Sequence, residues 1–425
     1  MNRKTAPVIK GAKDYTLNLK PYAYAELNNG VPVYLVEAGT QDVLQIEWVF
    51  YAGNHYEKQK GVAAAANFLL KNGTGSRTAF QINEAFDYYG AFCNRACYNE
   101  TAVVNLHCLS KHIDALLPVM IDLFTDARYP EEELAIYQQN AKQRLLVNLK
   151  KSEFVAGRLI DSYLYGADHP YGVYSSPVDI DQLSATPLRT YYNDYYVNGT
   201  CALFVAGKWE GDLLEKLNSS FGSLPWKKPS FQTPLIATHP ATEKKYRIQN
   251  DPDSVQGAIR MARPFPNRHH PDFKKVMVLN NVFGGFFGSR LMSNIREDKG
   301  YTYGIYSYVQ NHIQETAWLI STEAGKDVCE ATIQEVYLEM QRLREEPVPE
   351  EEIDLVRNYM IGSILGDLDG PFHIMAKWKN IILNNLTESY FYESVDAIKN
   401  ITATDLQGLA NQYLQPDSFY ELVVY

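Results

Sequence analysis

Cysteine is scarce: Cys93, Cys97, Cys108, Cys201 and Cys329 are the five in 425 residues. An odd count at no metal-ligand spacing builds neither a disulfide framework nor a zinc knuckle, so reduced, mostly buried thiols are expected. Runs of positive charge are also missing. No stretch of Lys and Arg reaches five residues, and 40 basic against 50 acidic side chains leave a net charge of −10. That excludes a sequence-independent phosphate-binding surface and with it nucleic acid as an expected partner. No apolar stretch reaches the ~20 residues of a membrane span, and the charged opening from Met1 to Lys13 has no apolar core of signal-peptide length. A cytoplasmic protein without a membrane partner is the expectation. What is present is ordinary globular material, 46 % hydrophobic and 13 % aromatic, in a chain long enough for two or three domains of roughly 100–200 residues.

The chain repeats itself. Tyr129-Pro130-Glu131-Glu132-Glu133-Leu134 recurs as Val348-Pro349-Glu350-Glu351-Glu352-Ile353, an offset of 349 − 130 = 219 residues. The run from Ile180 to Leu188 returns as Ile398 to Leu406 at 398 − 180 = 218, with Tyr195 and Tyr413 following at the same offset. Proline followed by three acidic residues suits the first turn of a helix, where the dipole favours negative charge. Ser184 and Thr402 are placed to cap the helices that follow them. Two matches at nearly one offset indicate a tandem duplication of α+β units. The reading is an N-terminal domain over 1–224, a Pro- and Ser-rich linker over 225–243 and a C-terminal domain over 244–425.

Within the first unit, Leu44, Ile46, Trp48 and Phe50 recur at period two with Gln45 and Glu47 opposite, as in a half-buried strand. Ala102 to Leu106 and Ala202 to Val205 read as further strands, and Asp114 to Phe124 and Glu131 to Lys151 as helices.

The run from Gly61 to Thr74 is an apolar, alanine-rich helix ended by glycine. It resembles the active-site helix of the pitrilysin/insulinase-like metallopeptidases, a Gly-x-x-His-x-x-Glu-His-x-x-x-x-Gly-Thr pattern, with Gly61, Gly73 and Thr74 in register. That resemblance implies two His ligands at the positions of Ala64 and Phe68, a general base at Asn67, and a third ligand, a Glu, near Asn148. A catalytic zinc needs three protein ligands, and its bound water needs a base. Ala and Phe supply no donor, and Asn cannot take up a proton. Glu is absent from Leu134 to Ser152, and no two of the nine histidines stand four apart. No metal or cofactor is expected in this chain.

The second unit holds a longer match. Val282 to Tyr303, containing Gly284-Gly285, Ser289-Arg290-Leu291, Ile295-Arg296-Glu297 and Gly300-Tyr301-Thr302-Tyr303, resembles the same family's Arg/Tyr run. Arg296 and Tyr303, seven residues apart, fall where that family places a pair that holds substrate over the zinc of the partnering half. A guanidinium binds peptide carbonyls, and a phenol donates to a developing oxyanion. Arg290 and the paired glycines read as structural.

The resemblance covers nearly the whole chain and is to the zinc-less subunit of processing-peptidase-type heterodimers. It implies two homologous α+β domains, each a mostly antiparallel sheet with packed helices, and a non-catalytic, substrate-binding subunit of a zinc endopeptidase. A homologous partner would supply the zinc and peptides would be the substrates, pairing with an exposed strand edge near Asn94 to Thr101. Two alternatives stand beside it: a peptide-binding or scaffold protein with no proteolytic role, and pairing with a second copy of itself.

Overall fold

The computed structural model describes residues 10–230 and 235–425. Most of the charged opening and residues 231–234 of the linker lie outside the described residues. The first half forms a sheet of β1 (Ala23–Glu26), β2 (Pro32–Glu37), β3 (Val43–Phe50), β4 (Phe92–Cys97), β5 (Ala102–Leu109) and β6 (Cys201–Gly207) in the order β1-β2-β6-β3-β5-β4. Only β2 and β6 pair in parallel. Its helices are α1 (Val62–Leu69), α2 (Ala79–Tyr88), α3 (Ile113–Thr125), α4 (Glu131–Asn148), α5 (Ser152–Tyr165), α6 (Pro177–Asp181), α7 (Ala185–Tyr192) and α8 (Leu213–Phe221).

The second sheet contains β7 (Lys245–Ile248), β8 (Gln256–Phe265), β9 (Thr302–Asn311), β10 (Thr316–Gly325) and β11 (Tyr420–Val424), ordered β7-β11-β8-β10-β9. Again one pair, β7 with β11, is parallel. Its helices are α9 (Phe273–Asn280), α10 (Cys329–Glu345), α11 (Glu350–Asp367), α12 (Pro371–Leu383), α13 (Ser389–Asn400) and α14 (Ala403–Tyr413). The fold is thus the expected pair of α+β units with mostly antiparallel sheets.

The duplication is carried by whole elements. Helices α4 and α11 start 219 residues apart, as do α5 and α12, and β6 and β11. Both Pro-Glu-Glu-Glu runs open a helix, with all three acidic residues in its first turn. Of the two caps, Thr402 accepts from the Asp405 amide at 3.1 Å, while Ser184 makes no side-chain cap bond.

Each half lends a helix to the other. Helix α5 lays Ala156, Ile160 and Leu164 on Ala258, Ala262, Leu422 and Val424 of the second sheet. Its counterpart α12 crosses back onto β2 and β6, where Met375 and Trp378 join the core around Tyr34 and Phe204. There the Trp378 indole donates to the Lys20 carbonyl at 2.8 Å, and Lys379 pairs with Glu47 at 2.5 Å. This corrects the half-buried reading of β3: Leu44, Ile46, Trp48 and Phe50 are fully buried, but Val49 and Glu47 on the other face are covered too. From the linker, Trp226 packs into the first core, stacked on Phe221 and donating to the Tyr196 carbonyl at 2.7 Å.

Candidate functional site

Helix α1 starts from Gly61 at φ +85°, a left-handed conformation that an L side chain rarely adopts. The Glu57 carboxylate accepts from the amides of Gly61 at 3.1 Å and Ala63 at 2.9 Å, fastening the helix start. Burial pushes that carboxyl above its ordinary range. The inner face of α1 is Ala63, Ala66 and Asn67; the outer face carries Ala64 and Phe68, one turn apart. The Asn67 amide is buried and donates to the Tyr196 hydroxyl at 3.1 Å, so it serves the core.

Phe68 is 43 % exposed. The Arg95 guanidinium from β4 lies 5.1 Å over its ring and donates to its carbonyl at 2.6 Å, and the Tyr137 ring from α4 stands 5.2 Å away. The α4 residue over this face is therefore Tyr137. Asn148, in the last turn of α4, is eleven residues or about 16 Å further along the helix. These groups do not fit a zinc ion. Methyl and phenyl stand at the two ligand positions, a cationic side chain covers one of them, and among the described residues no group of three or more His, Cys, Asp or Glu is placed to hold a metal.

In the second half, Arg296 sits in a π-helical turn over Met292–Asp298 and Tyr303 near the start of β9, the edge strand of its sheet. A Cβ on Gly284 would lie 2.7 Å from the Ser307 Cβ and 2.9 Å from its nitrogen, so glycine permits the preceding loop to close on β9. The chain brings Arg296 and Tyr303 together through the backbone: Nε of Arg296 donates to the Tyr303 carbonyl at 2.9 Å. The guanidinium also lies 4.7 Å over the ring of Phe287, and the Tyr303 phenol is 93 % exposed. Tyr306 and Tyr308 are exposed further along the strand. Arg290 is structural as expected, held by both Glu352 oxygens at 2.8 and 2.9 Å.

A cavity of about 280 Å³ beside α1 is shared by both halves, lined by Gly61, Ala64, Asp161, Tyr174, Gln310 and His312. Asp161 accepts from the Tyr174 hydroxyl and from the Gln310 side chain, and burial pushes its carboxyl up to about 6. Glu100 accepts from the Tyr171 hydroxyl and from the Ile313 amide at 3.2 Å, and burial raises it as well. His312 stacks on Tyr171 at 4.0 Å, and burial lowers it to about 4. The region proposed for strand pairing, Asn94 to Thr101, includes the second half of β4, which is the edge strand of the first sheet. Sequence reasoning missed Phe287, Arg95 and Tyr137. Phe287 lies inside the Val282 to Tyr303 run, but no spacing rule tells that its ring lies under Arg296.

The comparisons with known proteins bear on this geometry. Residues 182–360 match the family described as "Peptidase M16 inactive domain". That segment is similar to the family's inactive domain. The match contains Arg296 and Tyr303 and leaves α1 outside it. Over 402 residues the chain is 23 % identical to the "Uncharacterized zinc protease YmxG" of Bacillus subtilis, covering 93 % of this chain and 96 % of that one. It is 20 % identical over 356 residues to the "Non-peptidase homolog YmxG" of Helicobacter pylori, covering 82 % and 81 %. Two solved structures share its fold. One is a peptidase M16 inactive domain from Pseudomonas fluorescens, with TM-score 0.82 and 21 % identity over 95 % of this chain and 98 % of that one. The other is a protease from Helicobacter pylori, with TM-score 0.83 and 15 % identity over 96 % and 100 %. The resemblance read from the Gly61 helix and the Arg296 run is thus the one the comparisons return, to the peptidase M16 proteins and their inactive domain. Among the described residues no helix is long and apolar enough to cross a membrane.

Proposed function

We propose that this chain is the non-catalytic, substrate-binding subunit of a heterodimeric zinc endopeptidase, with the zinc site on a homologous partner and peptides as substrates. The observation that carries the reading is an asymmetry between its two candidate sites. The α1 face offers Ala64 and Phe68 with no metal donor, while the Arg296 to Tyr303 bond leaves a phenol that the fold does not use. In such an assembly Arg296 would hold peptide carbonyls and Tyr303 would donate to the oxyanion formed at the partner's metal. The free edge of β4 would receive the peptide main chain, and the cytoplasm is the compartment proposed. The Helicobacter pylori relative, named a non-peptidase homolog, favours the second reading, a peptide-binding scaffold without proteolysis.

Mixing separates the two. The pure chain, and the chain mixed with a homologue that carries an intact His-x-x-Glu-His helix, are assayed for peptide hydrolysis. Cleavage that appears only on mixing, and falls when Arg296→Ala replaces the wild type while the complex still forms, is the expected result. No cleavage with any such partner would leave the scaffold.

A further inference from the structure

Beside the Tyr98 loop lies a second cavity, of about 580 Å³, within the roughly 300–1,000 Å³ of small-ligand sites. Arg268 is on its wall, in the turn from β8 to α9 that also holds His269 and His270. Its Nη1 donates to the Asn380 side-chain oxygen on α12, and its other side-chain partner is the Tyr390 hydroxyl on α13. Both partners are neutral. The Nε is buried with no partner, and among the described residues no carboxylate forms an ion pair with this guanidinium.

Three other enclosed arginines pair with carboxylates, whereas Arg95, whose Nε is also buried without a partner, and Arg263 do not. Arg260 pairs with Glu323, Arg290 with Glu352, and Arg357 with Glu350 and Asp354. Arg95 and Arg263 donate to main-chain carbonyls and lie over aromatic rings. The other cation on the cavity wall, Lys379, is neutralised by Glu47 at 2.5 Å. Glu100, on the same cavity, is engaged by Tyr171 and the Ile313 amide. A guanidinium held in place by neutral groups in a partly desolvated wall lacks its counter-charge, and its planar fork matches a carboxylate.

We propose that Arg268 anchors a peptide carboxylate in this cavity, C-terminal or side-chain. That the anion belongs to a peptide rests on the function proposed above; that the site takes a carboxylate does not. The full chain is titrated calorimetrically with N-acetyl-dialanine and its C-terminal amide, with N-acetylglutamate amide and N-acetylglutamine amide, and with inorganic phosphate. At least one acid is expected to bind tenfold or more tightly than its amide, and which pair discriminates identifies the carboxylate's source. Arg268→Gln removes the preference. So does Asn384→Asp, which leaves Arg268 intact and sets a carboxylate on the same wall, where the Asn384 amide lies 3.4 Å from the Asn380 side-chain oxygen that Arg268 donates to. Equal binding of acids and amides, a preference that survives in both variants, or binding of phosphate alone would overturn the proposal. Acid binding without peptide cleavage in any mixture would keep the site and remove the heterodimer.

Discussion

Nε of Arg296 donates to the main-chain oxygen of Tyr303 at 2.9 Å, while the phenol of the same tyrosine stands 93 % exposed. The bond ties the π-helical turn to the edge strand and fixes where Tyr303 leaves the backbone. A large side chain left unburied adds little to stability, so its loss should be silent in the fold and visible only in function. Tyr303→Phe is expected to melt within about 1 °C of the wild type. In a mixed, active assembly it should lower turnover by about 10²-fold, the size of one lost oxyanion donor. Scanning calorimetry and peptide hydrolysis on the same preparation check both halves of the prediction.

The outer face of α1 is open enough to accept ligands it does not have. Ala64→His with Phe68→His places two imidazoles at i and i+4 on an exposed helix face, a geometry that chelates zinc. Zinc should then raise the melting temperature of the double variant by mass action and leave the wild type unchanged. Peptide hydrolysis should stay absent, because Asn67 points to Tyr196 and among the described residues no third donor is at hand. Metal-dependent cleavage by the double variant would show that a base and a third ligand lie closer than Asn67 and Asn148 suggest.

The exchange of α5 and α12 makes the halves interdependent. Without α12, the sheet face carrying Tyr34, Val36 and Phe204 would lie bare, a large apolar patch. A chain ending at residue 224 should therefore bind a hydrophobic dye and fail to melt cooperatively, whereas the full chain should do neither. Within the full chain, Trp378→Ala removes a buried indole and its bond to Lys20, at an expected cost of about 3–5 kcal/mol in urea denaturation. A cooperative melt of the isolated first half would contradict the interlock.

The sequence made the duplication legible because Pro130 and Pro349 open helices at one offset, and local helix chemistry repeats with the fold. It made the strand at Val43 legible through period two, and the Arg296 and Tyr303 pair through a fixed spacing within a long match. The exchange of helices was not legible, because an apolar helix face states that something covers it and not which sheet does. Glu47 was read as solvated for the same reason: its partner Lys379 is 332 residues away. Asn148 and Tyr137 show a third limit. Along an amphipathically weak helix such as α4, with Leu134 its buried residue, no pattern fixes which turn faces α1.

The seam between the halves should titrate. Asp161, on α5, accepts from Tyr174 and from Gln310 of β9, and burial holds its carboxyl up to about 6, against about 3.9 for an unfolded aspartate. The folded state therefore keeps its proton where the unfolded chain has lost it. The stability this protonation contributes is complete below about pH 4 and is lost as pH rises from about 4 through about 6. Each tenfold difference in proton affinity is worth about 1.4 kcal/mol, so about two decades amount to about 3 kcal/mol. His312 works in the opposite direction. Burial lowers it to about 4, so its contribution is present above the ordinary histidine range and is lost as pH falls from about 6.5 to about 4. The wild-type profile mixes the two, and a variant isolates the carboxyl. Asp161→Asn fixes the neutral form, so it should be more stable than the wild type at pH 7.5, by up to about 3 kcal/mol, and the advantage should vanish by pH 4. Urea denaturation of both chains at half-unit steps between pH 4 and 7.5 measures the difference. A constant gap across that range would mean that the carboxyl of Asp161 is charged in the fold and that its bonds to Tyr174 and Gln310 hold a carboxylate.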